Sequence, residues 1–112
     1  MKLEGEGLLM RIFLGESDRR EGMPLYEAIV QRARTAGLAG ATVLRGIEGY
    51  GAGSRIHRAS ILRLSEDLPI VVEIVDRADR IEQFLPELDR MVEEGLITLE
   101  KVHILAYRHG KD

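Results

Sequence analysis

At 112 residues, with a net charge of −3 and no cysteine, the chain is long enough to bury about two-thirds of the surface its unfolded form exposes. It therefore needs no disulfide or structural metal to hold a core, and thiol catalysis and cysteine-held zinc are excluded. The acidic balance argues against a general attraction to nucleic acid or anionic lipid. The apolar runs Leu8 to Leu14 and Pro69 to Val75 fall well short of the roughly 20 residues a membrane-spanning helix requires.

No Pro/Gly/Ser-rich stretch divides the chain, so residues 1–112 read as one domain, with 1–7 and 109–112 expected to be flexible ends. The opening Met-Lys-Leu-Glu-Gly-Glu-Gly makes a poor secretion signal, and a cytoplasmic location is expected. Leu8 to Leu14 reads as a strand, with Gly15 and the polar residues Glu16 to Gly22 as its exit loop. Pro24 suits a first helical turn. Leu25, Ala28/Ile29, Arg32/Ala33 and Ala36 then recur at helical spacing, and Gly37 offers a stop.

A second strand is predicted over Ala41 to Ile47. It runs into glycines at 46, 49, 51 and 53 and a polar, irregular stretch reaching about Ile61, whose glycine density predicts mobility. Pro69 to Val75 is a β-branched strand. Asp76 is placed to cap a second helix whose buried stripe is Ile81, Phe84/Leu85, Leu88 and Met91/Val92. Pro86 should bend or split that helix, and Gly95 should end it. Ile97 to Tyr107 reads as the last strand.

The order βαββαβ is the ferredoxin-like pattern, an α+β fold with two helices on one face of an antiparallel sheet. Such a sheet usually alternates apolar and polar residues. Here Leu9 and Phe13 are out of phase with Met10, Ile12 and Leu14, and Val71 and Val75 are out of phase with Ile70, Val72 and Ile74. The second face therefore carries apolar residues around Arg11 and Glu73, which points to self-association unless loops or the terminal segment cover it.

The segment from Arg45 to Arg58 combines four glycines within eight residues with Arg45, Arg55, His57 and Arg58. Glycines at positive φ would aim backbone N–H groups into a concavity, and guanidinium groups grip phosphate or carboxylate through paired hydrogen bonds. Arg45, Gly46, Gly49, Tyr50, Gly51, Arg55, His57 and Arg58 are thus the candidate residues for a small anionic ligand. The spacing is neither that of a P-loop nor that of a dinucleotide fingerprint, and the bland alternative is a turn with solvated arginines. His57, His103 and His109 show no metal-ligand spacing, and no nucleophile or acid/base constellation stands out. A non-enzymatic binding protein is the expectation. A divalent-metal-binding oligomer and a ferredoxin-like enzyme with His57 as acid/base in an inter-subunit site are the alternatives.

Leu14-Gly-Glu, Pro24-Leu25, Leu44-Arg-Gly-Ile-Glu-Gly-Tyr-Gly51, His57-Arg58 and Leu64-Ser-Glu-Asp-Leu-Pro-Ile-Val-Val-Glu-Ile-Val-Asp76 resemble the PII-like family catalogued as domain of unknown function 190. The likeness runs from about Leu8 to Tyr107. It implies relationship to nitrogen-regulatory PII proteins, which are trimers of ferredoxin-like subunits. Those proteins bind adenine nucleotides and 2-oxoglutarate between subunits and clamp transporters or enzymes with a loop after the second strand. The resemblance thus implies a homotrimeric, regulatory signalling protein. Its ligand would be an adenine nucleotide and its partner a membrane transporter or channel. The chain departs from PII in three ways. It has one extra residue before Gly49, a shorter loop without the modified tyrosine, and a phosphate loop reduced to Glu93-Glu-Gly95.

Overall fold

The computed structural model describes residues 3–51, the backbone of 57–58, and 67–110. Its elements are β1 (Gly5–Gly15), β2 (Arg19–Arg20), β3 (Met23–Pro24), α1 (Leu25–Thr35), β4 (Thr42–Arg45), β5 (Glu48–Gly49), β6 (His57–Arg58), β7 (Pro69–Asp76), α2 (Ala78–Met91) and β8 (Leu96–Ile104). The main sheet has the order β4-β7-β1-β8, antiparallel at every junction, so the ferredoxin-like arrangement predicted from the pattern is the one observed. β1 lies between β7 and β8. Met10 pairs with Ile74 and Leu99, and Ile12 with Val72 and Ile97.

The helices supply the other half of the core. Leu25, Ile29 and Ala33 recur every four residues and are buried, as are Ile81, Phe84, Leu88 and Met91 on α2. They close over Met10, Ile12, Leu14, Ile70, Val72 and Ile74. Each of these side chains larger than Ala33 contributes on the order of 1.5–3 kcal/mol when fully buried. Gly37 ends α1 as predicted, at φ +83°. Leu38 N donates to Ala33 O and Gly37 N to Arg34 O, the paired bonds of a Schellman turn.

Several expectations are corrected. Of the end expected to be flexible over 1–7, residues 3–7 are ordered into the fold: Leu3 is buried and Gly5 and Gly7 already pair with Ile104 and Val102. The exit loop after β1 contains the β2–β3 hairpin. Its turn residues Glu21 and Gly22 both have positive φ, the geometry of a two-residue type I′ connection, although Glu is an unusual choice for the first position. Pro86 does not split α2, which is continuous from Ala78 to Met91: Pro86 and Glu82 are both exposed, so water can take the Glu82 carbonyl that the missing N–H leaves unpaired. β4 stops at Arg45 and β8 at Ile104. Their partner strands end there, β7 beginning at Pro69 and β1 at Gly5.

Asp76 is not a side-chain cap. The N-cap of α2 is Arg77, with no side-chain cap bond, and Asp76 is only 1% exposed. Its carboxylate accepts hydrogen bonds from Ala39 N at 2.9 Å and Arg77 N at 2.7 Å, and lies 3.3 Å from Arg80 Nε. Arg80 in turn donates to Gly37 O. One buried carboxylate thus ties the α1–β4 turn to the β7–α2 turn. Tyr107, beyond β8, donates its hydroxyl to Ala39 O at 2.9 Å and closes the same end of the sheet.

On the sheet face away from the helices, register places Leu44, Val71, Phe13 and Leu96 in one row. Thr42, Glu73, Arg11 and Thr98 form the next, and Val75, Leu9 and Glu100 the third. Phe13, Leu44, Val75 and Leu96 are exposed, so none of the described segments covers this face. Arg11 bonds Glu73 at 2.9 Å and Glu100 at 3.1 Å. The hydrogen bond to Glu73 is the main reason that its guanidinium is held above the usual arginine range.

Asp76→Ala should destabilise the fold by about 3–5 kcal/mol, since it leaves two backbone donors and the Arg80 charge without their acceptor. Urea unfolding measures this. A midpoint equal to wild type would show that the carboxylate does not hold the two turns together.

Candidate functional site

Three short loops meet where β7 begins. Glu16 N donates to Leu68 O at 2.8 Å, Ser17 N to the Asp67 carboxylate at 2.6 Å, and Gly46 N to Pro69 O at 2.7 Å. The turn after β1 is closed by Asp18, whose carboxylate accepts from Gly15 N at 3.0 Å. Asp67 also lies against Gly15, where an added Cβ would stand 2.8 Å from Oδ2. A side chain at position 15 would therefore displace the carboxylate that holds Ser17.

Beyond β4 the chain turns back over Pro69. A Cβ at Gly46 would meet Pro69 Cγ at 2.7 Å, and one at Gly49 would meet it at 3.1 Å. The pyrrolidine ring cannot swing aside as a flexible side chain would. Gly46 is thus required by close approach, and Gly49 leaves room for no more than a tight contact, which lets β5 lie on the proline. β5 then pairs with β6, Glu48 opposite Arg58 and Gly49 opposite His57.

This arrangement brings part of the predicted site together. Arg45 sits at the end of edge strand β4 with its side chain 60% exposed, paired with Glu16 from the turn after β1. The backbone of His57 and Arg58 returns to the edge formed by Glu48 and Gly49, so the stretch predicted to be irregular has a paired stem. Tyr50, at 72% exposure, and Gly51 lie on the solvent side of that stem. Arg55, the His57 and Arg58 side chains, and the mobility expected for most of 49–61 lie outside the described residues.

The positive φ expected of these glycines is not seen at the three that are described. Among described residues the glycines with positive φ are Gly5, Gly22, Gly37 and Gly95, not Gly46, Gly49 or Gly51. Nothing lies within 4 Å of a Cβ built on Gly51. Gly95, in the segment resembling a reduced phosphate loop, has φ +154° and a Cβ position 2.7 Å from Phe13 O, so its lack of a side chain serves packing against β1.

Sequence reasoning missed Glu16, Asp67 and Asp18. Their signals were present in Gly15-Glu-Ser-Asp18, a turn composition, and in an acid two residues before Pro69. Their meeting, however, spans about fifty residues of chain. Among the described residues no group of three His, Asp or Glu side chains converges as a metal site. Two grooves of about 370 and 200 Å³ flank the β2–β3 hairpin and share Arg20, Glu21 and Met91, and no predicted site residue lines either.

A four-stranded antiparallel sheet in the order β4-β7-β1-β8, with two helices on one face and a hairpin rising from the β4–β7 edge, is a PII-like arrangement of the ferredoxin-like fold. It is similar to CPII from Thiomonas intermedia K12, solved bound to ADP and bicarbonate. The TM-score is 0.56 over 88% of each chain, at 16% sequence identity, so the likeness is one of fold. The chain belongs to the DUF190 family, described as "Uncharacterized ACR", whose pattern it matches over residues 7–104. It is 43% identical over 97 residues to a UPF0166 protein of Aquifex aeolicus, covering 87% of this chain and 91% of that one. It is 36% identical over 97 residues to a UPF0166 protein of Methanocaldococcus jannaschii, covering 86% and 89%.

Gly46→Ala should cost about 1–3 kcal/mol, because the proline ring and the Gly46–Pro69 bond cannot both be kept. Gly51→Ala should stay within about 0.5 kcal/mol of wild type. Chemical unfolding of the two variants side by side checks this, and equal midpoints would contradict the packing role.

Proposed function

We propose that this chain is a regulatory, non-enzymatic PII-like protein. It acts as a homotrimer, binding a small anionic ligand at the β4–β7 edge and presenting the segment beyond β5 to a partner. The carrying observation is the β5–β6 stem. It returns the backbone at His57 and Arg58 to β5, three residues beyond Arg45 at the end of β4, so basic residues separated by a dozen positions in the chain come back to one stretch of it. Arginine suits this task because its planar donors match phosphate and carboxylate oxygens.

An adenine nucleotide is the first candidate ligand, supported by the PII-like fold and by a fold relative that carries ADP and bicarbonate. The apolar rows on the open sheet face support assembly, since Arg11 is already paired within the chain and can be covered without becoming a lone cation. The family resemblance supports a transporter or channel as partner, and a cytoplasmic setting accords with that. No helix among the described residues is long and apolar enough to cross a membrane.

Titration calorimetry with ADP, ATP, bicarbonate and phosphate, with divalent cations as a separate arm, tests the ligand class. Saturable anion binding is expected. The Arg55→Ala/Arg58→Ala double variant should weaken it by about one to two powers of ten without much change in melting temperature. A double variant that binds as wild type does would remove these arginines from the site. Binding of none of the anions would end the reading.

For the assembly, light scattering should give three times the 12.6 kDa chain mass, and Phe13→Asp should lower it. A wild-type monomer would refute the assembly.

A further inference from the structure

The pairing of Arg45 with Glu16 has a consequence for the anion site, and it rests on the reading given above. Glu16 is not a carboxylate that happens to lie nearby. Its backbone is fixed by Glu16 N to Leu68 O at 2.8 Å, and its neighbour Ser17 is fixed to Asp67. Arg45 is fixed by the β4–β7 pairing, Arg45 opposite Ile70, and by the Gly46 N to Pro69 O bond that follows it. Both partners are therefore anchored on one continuous stretch, Glu16 and Ser17 on Leu68 and Asp67, Arg45 and Gly46 on Ile70 and Pro69, and the carboxylate is held at the guanidinium before any ligand arrives. The Glu16 side chain is 25% exposed and that of Arg45 is 60% exposed. Much of the Arg45 side chain thus stays at the surface while Glu16 takes one side of it.

We infer that Glu16 is a specificity-determining residue of the anion site, an internal carboxylate that competes with the ligand for Arg45. An incoming phosphate or carboxylate must either displace Glu16 or bind beside it, and both routes cost free energy. Displacement gives up an ion pair, and binding beside it places two negative charges on one guanidinium. The effect lowers affinity for every simple anion and most for the more highly charged ones. A ligand able to donate a hydrogen bond to Glu16 while its anionic group meets Arg45 would be spared part of that cost.

The test is calorimetric binding of inorganic phosphate and ADP to wild type, Glu16→Gln, Arg45→Gln and the double variant. Glu16→Ala serves as a second version should Gln retain a bond to Arg45. Removing Glu16 should tighten phosphate binding by about three- to tenfold, the scale of one partly exposed charge pair plus a relieved repulsion. The gain should vanish in the Arg45→Gln background, since the effect acts through that residue. A structural role for Glu16 alone would lower the melting temperature without tightening binding. If both Glu16 variants bind as wild type does while Arg45→Gln weakens binding, the inference about Glu16 falls and the anion site stands. If Arg45→Gln changes nothing while binding persists, Arg45 is outside the site and the inference falls with it. If neither probe binds wild type or any Glu16 variant, the anion-binding reading itself fails.

Discussion

The short approach to β7, Asp67 to Pro69, is the constraint on which the candidate site depends. Asp67 accepts from Ser17, Leu68 from Glu16, and Pro69 from Gly46. Pro69 has no N–H to give, which suits it to the first position of a strand. Its ring becomes the surface on which Gly46 and Gly49 lie. The exit of β1, the exit of β4 and the base of the hairpin are thereby fixed relative to one another. The Arg45–Glu16 pair follows from that arrangement rather than creating it, because an exposed ion pair is worth too little to position a backbone.

The opposite end of the sheet is organised by a different device. There a single buried carboxylate, Asp76, holds the turn after α1 and the start of α2, and Tyr107 crosses to the same turn. Burying a carboxylate is costly unless its oxygens are hydrogen-bonded and its charge is met. Asp76 has both. The two ends thus divide the tasks, one closed by a satisfied buried group and the other left with exposed arginine and tyrosine side chains.

The sheet face away from the helices joins these ends. Its apolar residues are interrupted by Arg11, which is shared between Glu73 of its own row and Glu100 of the next. An arginine already paired within its own chain can be covered by an apolar surface at lower cost than an isolated one, although two carboxylates on one guanidinium leave a net negative charge for a partner to meet. The same face could not have been left apolar for internal packing, because both helices already lie on the other side.

The sequence by itself determined the order of the six core elements, the two helical stripes and the phase of the central strands. These rest on local periodicity: Leu25, Ile29 and Ala33 on α1, and Ile70, Val72 and Ile74 on β7, can be recognised without knowing what they touch. It also determined the family, through motifs that run along the chain. It assigned the glycines to a candidate site but not their purpose, since a glycine needed for positive φ and one needed for close approach are the same letter. Only the tertiary structure decided that Gly46 and Gly49 serve Pro69, that Asp76 is buried rather than capping, and that Arg45 meets Glu16. Each of those depends on residues brought together by strand pairing across tens of positions, and a periodicity that looks a few residues ahead carries no record of such distances.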